Sequence, residues 1–320
     1  MASSDDTIYN LQAGTIVKAA FKKIGVTPAE QALQAFELQD GLEDLNLMLK
    51  TWQNQSFHLW TLREGVVFLE PKVSTHSIGG GLGHNCEQED FIPTTLTATA
   101  AIGIDTLSVA STAGMQVGDV IGVQLSNTVR QWSTITTVDS STQVTIADVL
   151  TAEAVSGYSV FTYTTTIKRP SRISSARRVL YPNDIDLVTD KVSRSTYYNQ
   201  SFKNGTGVVS MFYYSPDLNS GKLQVWQTGS SVNDYLRITY QEYIDTVTET
   251  SQTLEIPPEW QECVIYNLAV RIGIAYDVPE NKLAQVGQMA QLLLTDALGY
   301  DQEPTKYGVI ANYSASGNLT

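Results

Sequence analysis

The chain has 320 residues, enough for two or three domains, because a single core stops growing at roughly 250–300 residues. Charged residues make up only 17% of it, the formal net charge is −13 and the pI is near 4.6. So acidic a balance argues against a protein that grips nucleic acid, since phosphate affinity comes mainly from Lys and Arg, but it leaves room for a surface that DNA slides past.

Two cysteines, Cys86 and Cys263, cannot build a disulfide framework, which points to synthesis in a reducing compartment. The start, Met1-Ala2-Ser3-Ser4-Asp5-Asp6, has no basic region followed by an apolar stretch, so no signal peptide is expected. No apolar run approaches the ~18 residues of a membrane span. The expectation is a soluble chain made in the cytoplasm, with no membrane partner.

In chain order, the first helical signal is IVKAAFKKIGV, where Val17, Ala20, Phe21 and Ile24 form one apolar stripe and Gly25 is a natural stop. Thr27-Pro28-Ala29-Glu30 has the form of a capping box with Pro at the first helical position. The helix it opens is expected to run towards Asn54, with Leu38, Leu42, Leu45, Leu49 and Trp52 on one face and a break or bend at Gly41. From about Val66 to Val247 the period changes to short alternating runs such as Val208–Tyr214, Lys222–Gln227 and Tyr235–Tyr240, which predict strands; the turn between the first two is placed at Pro216–Gly221.

Within this region Thr94–Thr166 stands apart, with seventeen Thr in seventy-three residues and Arg130 as its one basic residue. Its strand candidates are Thr106–Ala110, Val120–Leu125, Trp132–Val138, Gln143–Ile146 and Tyr158–Tyr163. A module of this size is marginal as an independent fold. Beyond it, Pro257 and Pro258 open a helix carrying Trp260, Val264, Leu268 and Ile272. A further helix, starting near Asp277-Val278-Pro279-Glu280, presents Leu283, Val286, Met289, Ala290, Leu293 and Ala297 and is expected to stop at Gly299.

Neither terminal hairpin can bury its apolar face alone, so the two are expected to pack together. The predicted fold is α+β, a helical base of about four helices from both chain termini with a large β-rich insertion, sandwich or barrel-like, and an extended C-terminal arm. The corresponding segments are 1–64 and 255–299 for the helical hairpins, 65–93 with 167–254 for the β-rich domain, 94–166 for the inserted module and 300–320 for the arm. The expected core of the base is Val17, Phe21, Leu45, Leu49, Trp52, Trp260, Leu268 and Ile272.

Chemistry-bearing patterns are sparse. Gly79–Gly83 lacks the Lys-Ser/Thr of a phosphate loop and reads as a connector. His76, His84 and Cys86 could offer zinc ligands but lack a usual spacing, and His58 sits between Phe57 and Leu59 as a packed histidine would. No Gly-x-Ser-x-Gly elbow and no His-Glu-x-x-His helix occur. Thirty-three acidic residues guarantee chance carboxylate pairs, so these do not specify a glycosidase. No enzymatic activity, metal or cofactor is expected. The densest charge cluster is Lys168, Arg169, Arg172, Arg177 and Arg178. It could meet DNA or an acidic partner; the preferred reading is that it balances the acidic terminal helices of its own or a neighbouring copy.

IVKAAFKKIGV followed by DGLEDLNLMLKTWQ resembles the N-terminal hairpin of the tail accessory, or DNA-stabilisation, proteins of short-tailed phages. IPPEWQECVIYNLAVRIGIAYDVP is similar to their C-terminal helix, with Asn267-Leu268-Ala269-Val270-Arg271-Ile272 as the shared core. The likeness spans about a third of the chain, in the right order at both ends, while the β-rich middle departs from compact members. What the resemblance implies is a head-to-tail adaptor in the virion, usually a dodecameric ring of identical copies below the portal protein. Such a ring extends the channel for packaged double-stranded DNA without sequence-specific binding and offers a platform to the tail nozzle or hub and to tail fibres. It also implies that the arm, with Glu303, Lys306, Tyr307, Ile310 and Tyr313, contacts the portal. A rival reading is a tail-associated module whose β-insertion recognises a host glycan or another tail protein, which exposed aromatic rings near Trp132 would favour. A third is an enzyme attacking the cell envelope.

Overall fold

A computed structural model describes residues 11–26, 33–55, 59–79 and 85–300. The capping box at Thr27–Glu30, His58, His84, residues 80–83 and the arm residues Glu303, Lys306, Tyr307, Ile310 and Tyr313 lie outside the described residues. The chain divides into two compact units, residues 1–60 with 244–320, and residues 61–243. Among the described residues the helices are α1 (Ala13–Ile24), α2 (Ala35–Gln55), the short α3 (Arg194–Tyr198), α4 (Pro258–Ala275) and α5 (Glu280–Tyr300). All but α3 belong to the first unit.

The first unit is the α-helical part of an α+β protein. Helix α1 buries Ile16, Val17, Ala20, Phe21 and Ile24, its 3.6-residue stripe, and ends at Gly25, whose φ of 73° is left-handed and whose N–H returns to Phe21 and Lys22 carbonyls. Its first N–H groups have no side-chain cap; Ala13 and Gly14 instead donate to the Gln252 and Thr250 carbonyls at 2.8 and 2.9 Å. That contact places 244–254 with the helices and not with the β-rich region, as the core membership of Ile244, Val247 and Leu254 also requires. Asn46 holds the same segment, its amide donating to Val247 O at 2.7 Å and accepting from Val247 N at 3.0 Å.

Three expectations about these helices are corrected. Gly41 does not break α2, which runs unbroken from Ala35 to Gln55. A Cβ there would lie 2.4 Å from Val17 Cγ1, so the glycine lets α1 approach closely. Helix α5 passes through Gly299 to Tyr300, and Met289 is 39% exposed, because the inward stripe steps through Val286, Ala290, Leu293 and Ala297. Val17, Phe21, Leu45, Leu49, Trp260, Leu268 and Ile272 are each at most 2% exposed. Trp52 is half-buried, its ring 5.9 Å from that of Trp260.

In the second unit the strands begin at Leu62, inside the segment expected to be helical. They are β1 (Leu62–Phe68), β2 (Thr75–Ile78), β3 (Asn85–Glu87), β4 (Ile92–Thr95), β5 (Thr106–Ser108), β6 (Val120–Gln124), β7 (Arg130–Ser140), β8 (Gln143–Ile146) and β9 (Ser159–Tyr163). There follow β10 (Arg172–Leu180), β11 (Ile185–Lys191), β12 (Thr206–Gly207), β13 (Met211–Pro216), β14 (Gly221–Trp226), β15 (Thr228–Gly229) and β16 (Tyr235–Gln241). Eight of them form one sheet in the order β2-β14-β13-β11-β10-β16-β1-β3. Its two ends meet where the Asn85 amide donates to Ser77 O at 2.9 Å, giving a barrel-like closure.

The Thr-rich insertion supplies a six-stranded sheet in the order β4-β9-β6-β7-β8-β5, around Leu107, Val109, Ile121, Val123, Ile135, Val144 and Val160. It does not stand apart from the barrel. Phe68, Val66, Cys86, Val179 and Tyr235 of the large sheet share one core with Val120, Phe161 and Tyr163 of the insertion. Phe68 is the centre, with ring centroids 4.9 Å from Trp132, 5.4 Å from Phe161 and 6.0 Å from Tyr163.

Candidate functional site

The six-residue core of the C-terminal motif, Asn267–Ile272, lies on α4, and several of its side chains have a local physical role. Leu268, Ala269 and Ile272 are buried in the helical core. Asn267 donates to Cys263 O at 2.9 Å within its own helix and to Ala290 O on α5 at 3.2 Å, so it ties the two C-terminal helices together. Arg271 acts on the acidic row of α2. Burial raises the Asp44 carboxyl above its ordinary value, Arg271 opposes the rise, and Asp40 and Glu43 add to it.

A raised folded-state pKa means that the fold favours the protonated carboxyl. Stability is therefore fullest below the ordinary carboxylate pKa and declines as pH rises through the folded value. Asp44→Asn should be more stable than the wild type at pH 7, the advantage shrinking as the pH falls towards about 4. Thermal melts at the two pH values check this, and a variant no more stable at pH 7 contradicts it.

The basic run Lys168–Arg178 is not one patch. Strand β10 alternates its side chains, so Arg177 and Arg178 point to opposite faces. Arg178 is 6% exposed and its guanidinium is held by Asp234, with Nε 3.1 Å from Oδ2 and Nη2 on the same oxygen. On the other face Arg177 pairs with Glu64 at 3.1 Å and Asp186 at 3.7 Å. Lys168 reaches Glu242 at 3.8 Å. Arg169 lies 4.7 Å from the Tyr243 ring centroid and donates to Asp217 O, while Arg172 opens β10 opposite Gln241, half-buried. The acidic partners of Lys168, Arg177 and Arg178 thus come from strands β1 and β11 and from the two ends of β16, in the same unit. Within one copy, these three cations are therefore balanced locally and not by the acidic helices of the same chain.

Arg130, which the sequence marks only as a lone basic residue among threonines, is 4% exposed. Its guanidinium donates to Gly122 O at 3.0 Å, Ser159 O at 3.3 Å, Ser159 Oγ at 2.8 Å, Val232 O at 3.2 Å and Asn233 Oδ1 at 3.0 Å. It also stacks 3.7 Å from the Phe161 ring centroid. Burial lowers its pKa to about 9, which leaves it charged at neutral pH. This cation is compensated by oxygen dipoles and a ring face, and it joins the insertion to the loop before β16.

His76 is buried on β2 and Cys86 is buried on β3, where burial pushes its thiol pKa up and keeps it protonated. Among the described residues no three His, Cys, Asp or Glu side chains cluster as a metal site requires. Gly79 is a turn glycine with φ 77°, packed on Arg169, where a Cβ would lie 2.4 Å from the Arg169 backbone nitrogen. Trp132, near which exposed aromatic rings would favour the glycan reading, is half-buried over Gly122 and against Phe68. Residues 94–166 present no exposed aromatic ring; their exposed apolar side chains are aliphatic, such as Ile102, Val117 and Val149. No helix among the described residues is long and apolar enough to cross a membrane.

Sequence reasoning missed Asp234 and Asn233, whose only sequence signal is a polar turn before a strand. It also missed β11, whose run Ile185-Asp186-Leu187-Val188-Thr189-Asp190 lacks clean alternation.

No family model matches the chain, and no curated protein matches it. Among solved structures, the VP16-VP17 complex, a complex of the two major capsid proteins of bacteriophage P23-77, aligns with 12% identity. The alignment covers 56% of this chain and 82% of that one, with a TM-score of 0.13, too low to support any inference.

Proposed function

We propose that this chain is a non-enzymatic structural subunit of a phage head-to-tail adaptor, working without a cofactor at the head–tail junction of the virion after assembly in the host cytoplasm. In this reading identical copies form a ring beneath the portal protein, the ring extends the DNA channel, and it offers a platform to the tail nozzle or hub and to tail fibres. DNA passes through without sequence-specific contact, as the net charge of −13 favours.

The observation that carries the reading is the helical unit built from both chain ends. Leu268, Ala269 and Ile272 are part of its core and Asn267 ties α4 to α5, so residues that resemble the adaptor family help to hold this base together. Ring contacts are heterologous and call for unlike surfaces on one subunit. The helical unit offers exposed Lys18 and Lys22 on α1 and exposed Asp40 and Glu43 on α2, which supports the reading better than the 168–178 run now does.

The test is native mass spectrometry of the full chain with and without the portal protein of its own virion. A closed multiple of the 35.1 kDa chain on the portal is the expected result. A chain that stays monomeric and unbound in both samples would overturn the proposal.

A further inference from the structure

Among the described residues of the β-rich unit two aromatic side chains are exposed, Tyr198 at 47% and Phe202 at 89%. Both lie where α3 runs into the loop before β12. The loop is held in place: Trp226 Nε1 donates to Ser201 O at 3.0 Å, and the Gly205 N–H returns to Phe202 O at 2.9 Å. Phe202 is left-handed, with φ 53°, a conformation that a bulky side chain rarely adopts. Burial does not explain a ring held so, since it stands in water, and strain of this kind gathers at binding sites. Alongside, on β13 and β14, the cross-strand neighbours Tyr213 and Gln224 are half-buried, and the Gln224 amide donates to the Tyr198 hydroxyl at 3.2 Å. Two cations frame the same ring. Lys203 Nζ lies 4.2 Å and the Arg194 guanidinium 5.6 Å from the Tyr198 centroid. Among the described residues neither pairs with a carboxylate; Asp217, which Arg194 influences, is bonded to Lys222 at 2.6 Å.

We propose that this face binds an acidic polysaccharide. The C–H faces of sugar rings pack on aromatic rings, and amide and hydroxyl groups such as those of Gln224 and Tyr198 exchange hydrogen bonds with sugar hydroxyls. Carboxylate or phosphate groups on the sugars then answer the two cations that lack a carboxylate partner. A single-stranded nucleic acid also combines stacking with charge, but it needs a cationic groove that tracks successive phosphates. Two cations in a chain of net charge −13 do not provide one. An uncharged protein surface would leave both cations unanswered in a contact closed to water. The site lies outside the Thr-rich insertion and does not depend on the adaptor reading.

Isothermal titration calorimetry on the full chain, without portal, tests this. Oligogalacturonate carries the negative charge as carboxylate and phosphomannan as phosphate, while dextran is a neutral glycan and oligothymidylate a single-stranded nucleic acid. The variants are Phe202→Ala and Lys203→Gln, and an unchanged thermal midpoint verifies that each is folded. The expected result is that one or both acidic glycans bind the wild type, with dextran and oligothymidylate at least ~10-fold weaker, and that each variant loses at least ~10-fold in affinity. Which acidic glycan binds more tightly tells carboxylate from phosphate recognition. Binding of neither acidic glycan, oligothymidylate bound as tightly as either, or affinity unchanged in both variants would overturn the proposal while leaving the adaptor reading standing.

Discussion

Arg130→Met should destabilise the β-rich unit by about 3–5 kcal/mol and split its single unfolding transition in two. Methionine fills much of the arginine volume but donates nothing, so the carbonyls of Gly122, Ser159 and Val232 lose a charged donor in a dry site. Hydrogen bonds to a charged group contribute about 1.5–3 kcal/mol each and are not additive, and part of the loss is recovered because Ser159 Oγ still bonds Asn233 Oδ1 at 2.5 Å. The split follows from where the bonds run. Arg130, Gly122 and Ser159 belong to the insertion, whereas Val232 and Asn233 precede β16 of the large sheet. Calorimetry reads both effects. A single transition displaced by less than about 1 kcal/mol would contradict the role given to this residue.

Asp234→Asn should cost about 3–5 kcal/mol, because it leaves the Arg178 guanidinium buried without its counter-charge. The pair is closed to water, with side chains 7% and 5% exposed, so solvent screening does not discount the effect as it does at Arg177 or Lys168. The double variant Arg178→Met, Asp234→Leu should recover most of the loss, since replacing a whole buried ion pair with apolar groups is often nearly neutral. Chemical denaturation of the two single variants and the double measures the coupling. Additive losses would mean that the two side chains do not act as a pair.

These two arginines also mark how far the sequence could be read. The helices were legible because apolar residues at 3.6-residue spacing leave few alternatives, and Gly25 ends α1 for a reason visible in its own chemistry. The insertion was legible because short runs such as β8 alternate at period two between turn residues, and Gln143–Ile146 is found where the pattern places it. Pattern alone could not tell that Gly41 serves a helix contact. That follows from the position of Val17, twenty-four residues away in the chain.

The candidate site was legible only as a list of charges. A run of five cations in eleven residues reads as one patch, yet alternation along β10 sends Arg178 inward and Arg177 outward, and their acidic partners lie 56 and 113 residues away. The same limit hid the exposed ring face at Tyr198, since its support by Gln224 and Trp226 is a property of the fold.

Local periodicity and turn chemistry, which act over three or four residues, were enough to determine that the chain is α+β, with helices at both ends and strands between. Only the tertiary structure decided that the insertion shares a core with the barrel and that a lone arginine fastens the two. It also decided that the basic run is divided between two faces and that an exposed ring face forms at Tyr198. Each of these depends on which distant residues meet, and in a low-dielectric interior such meetings set whether a charge stabilises the fold or disrupts it.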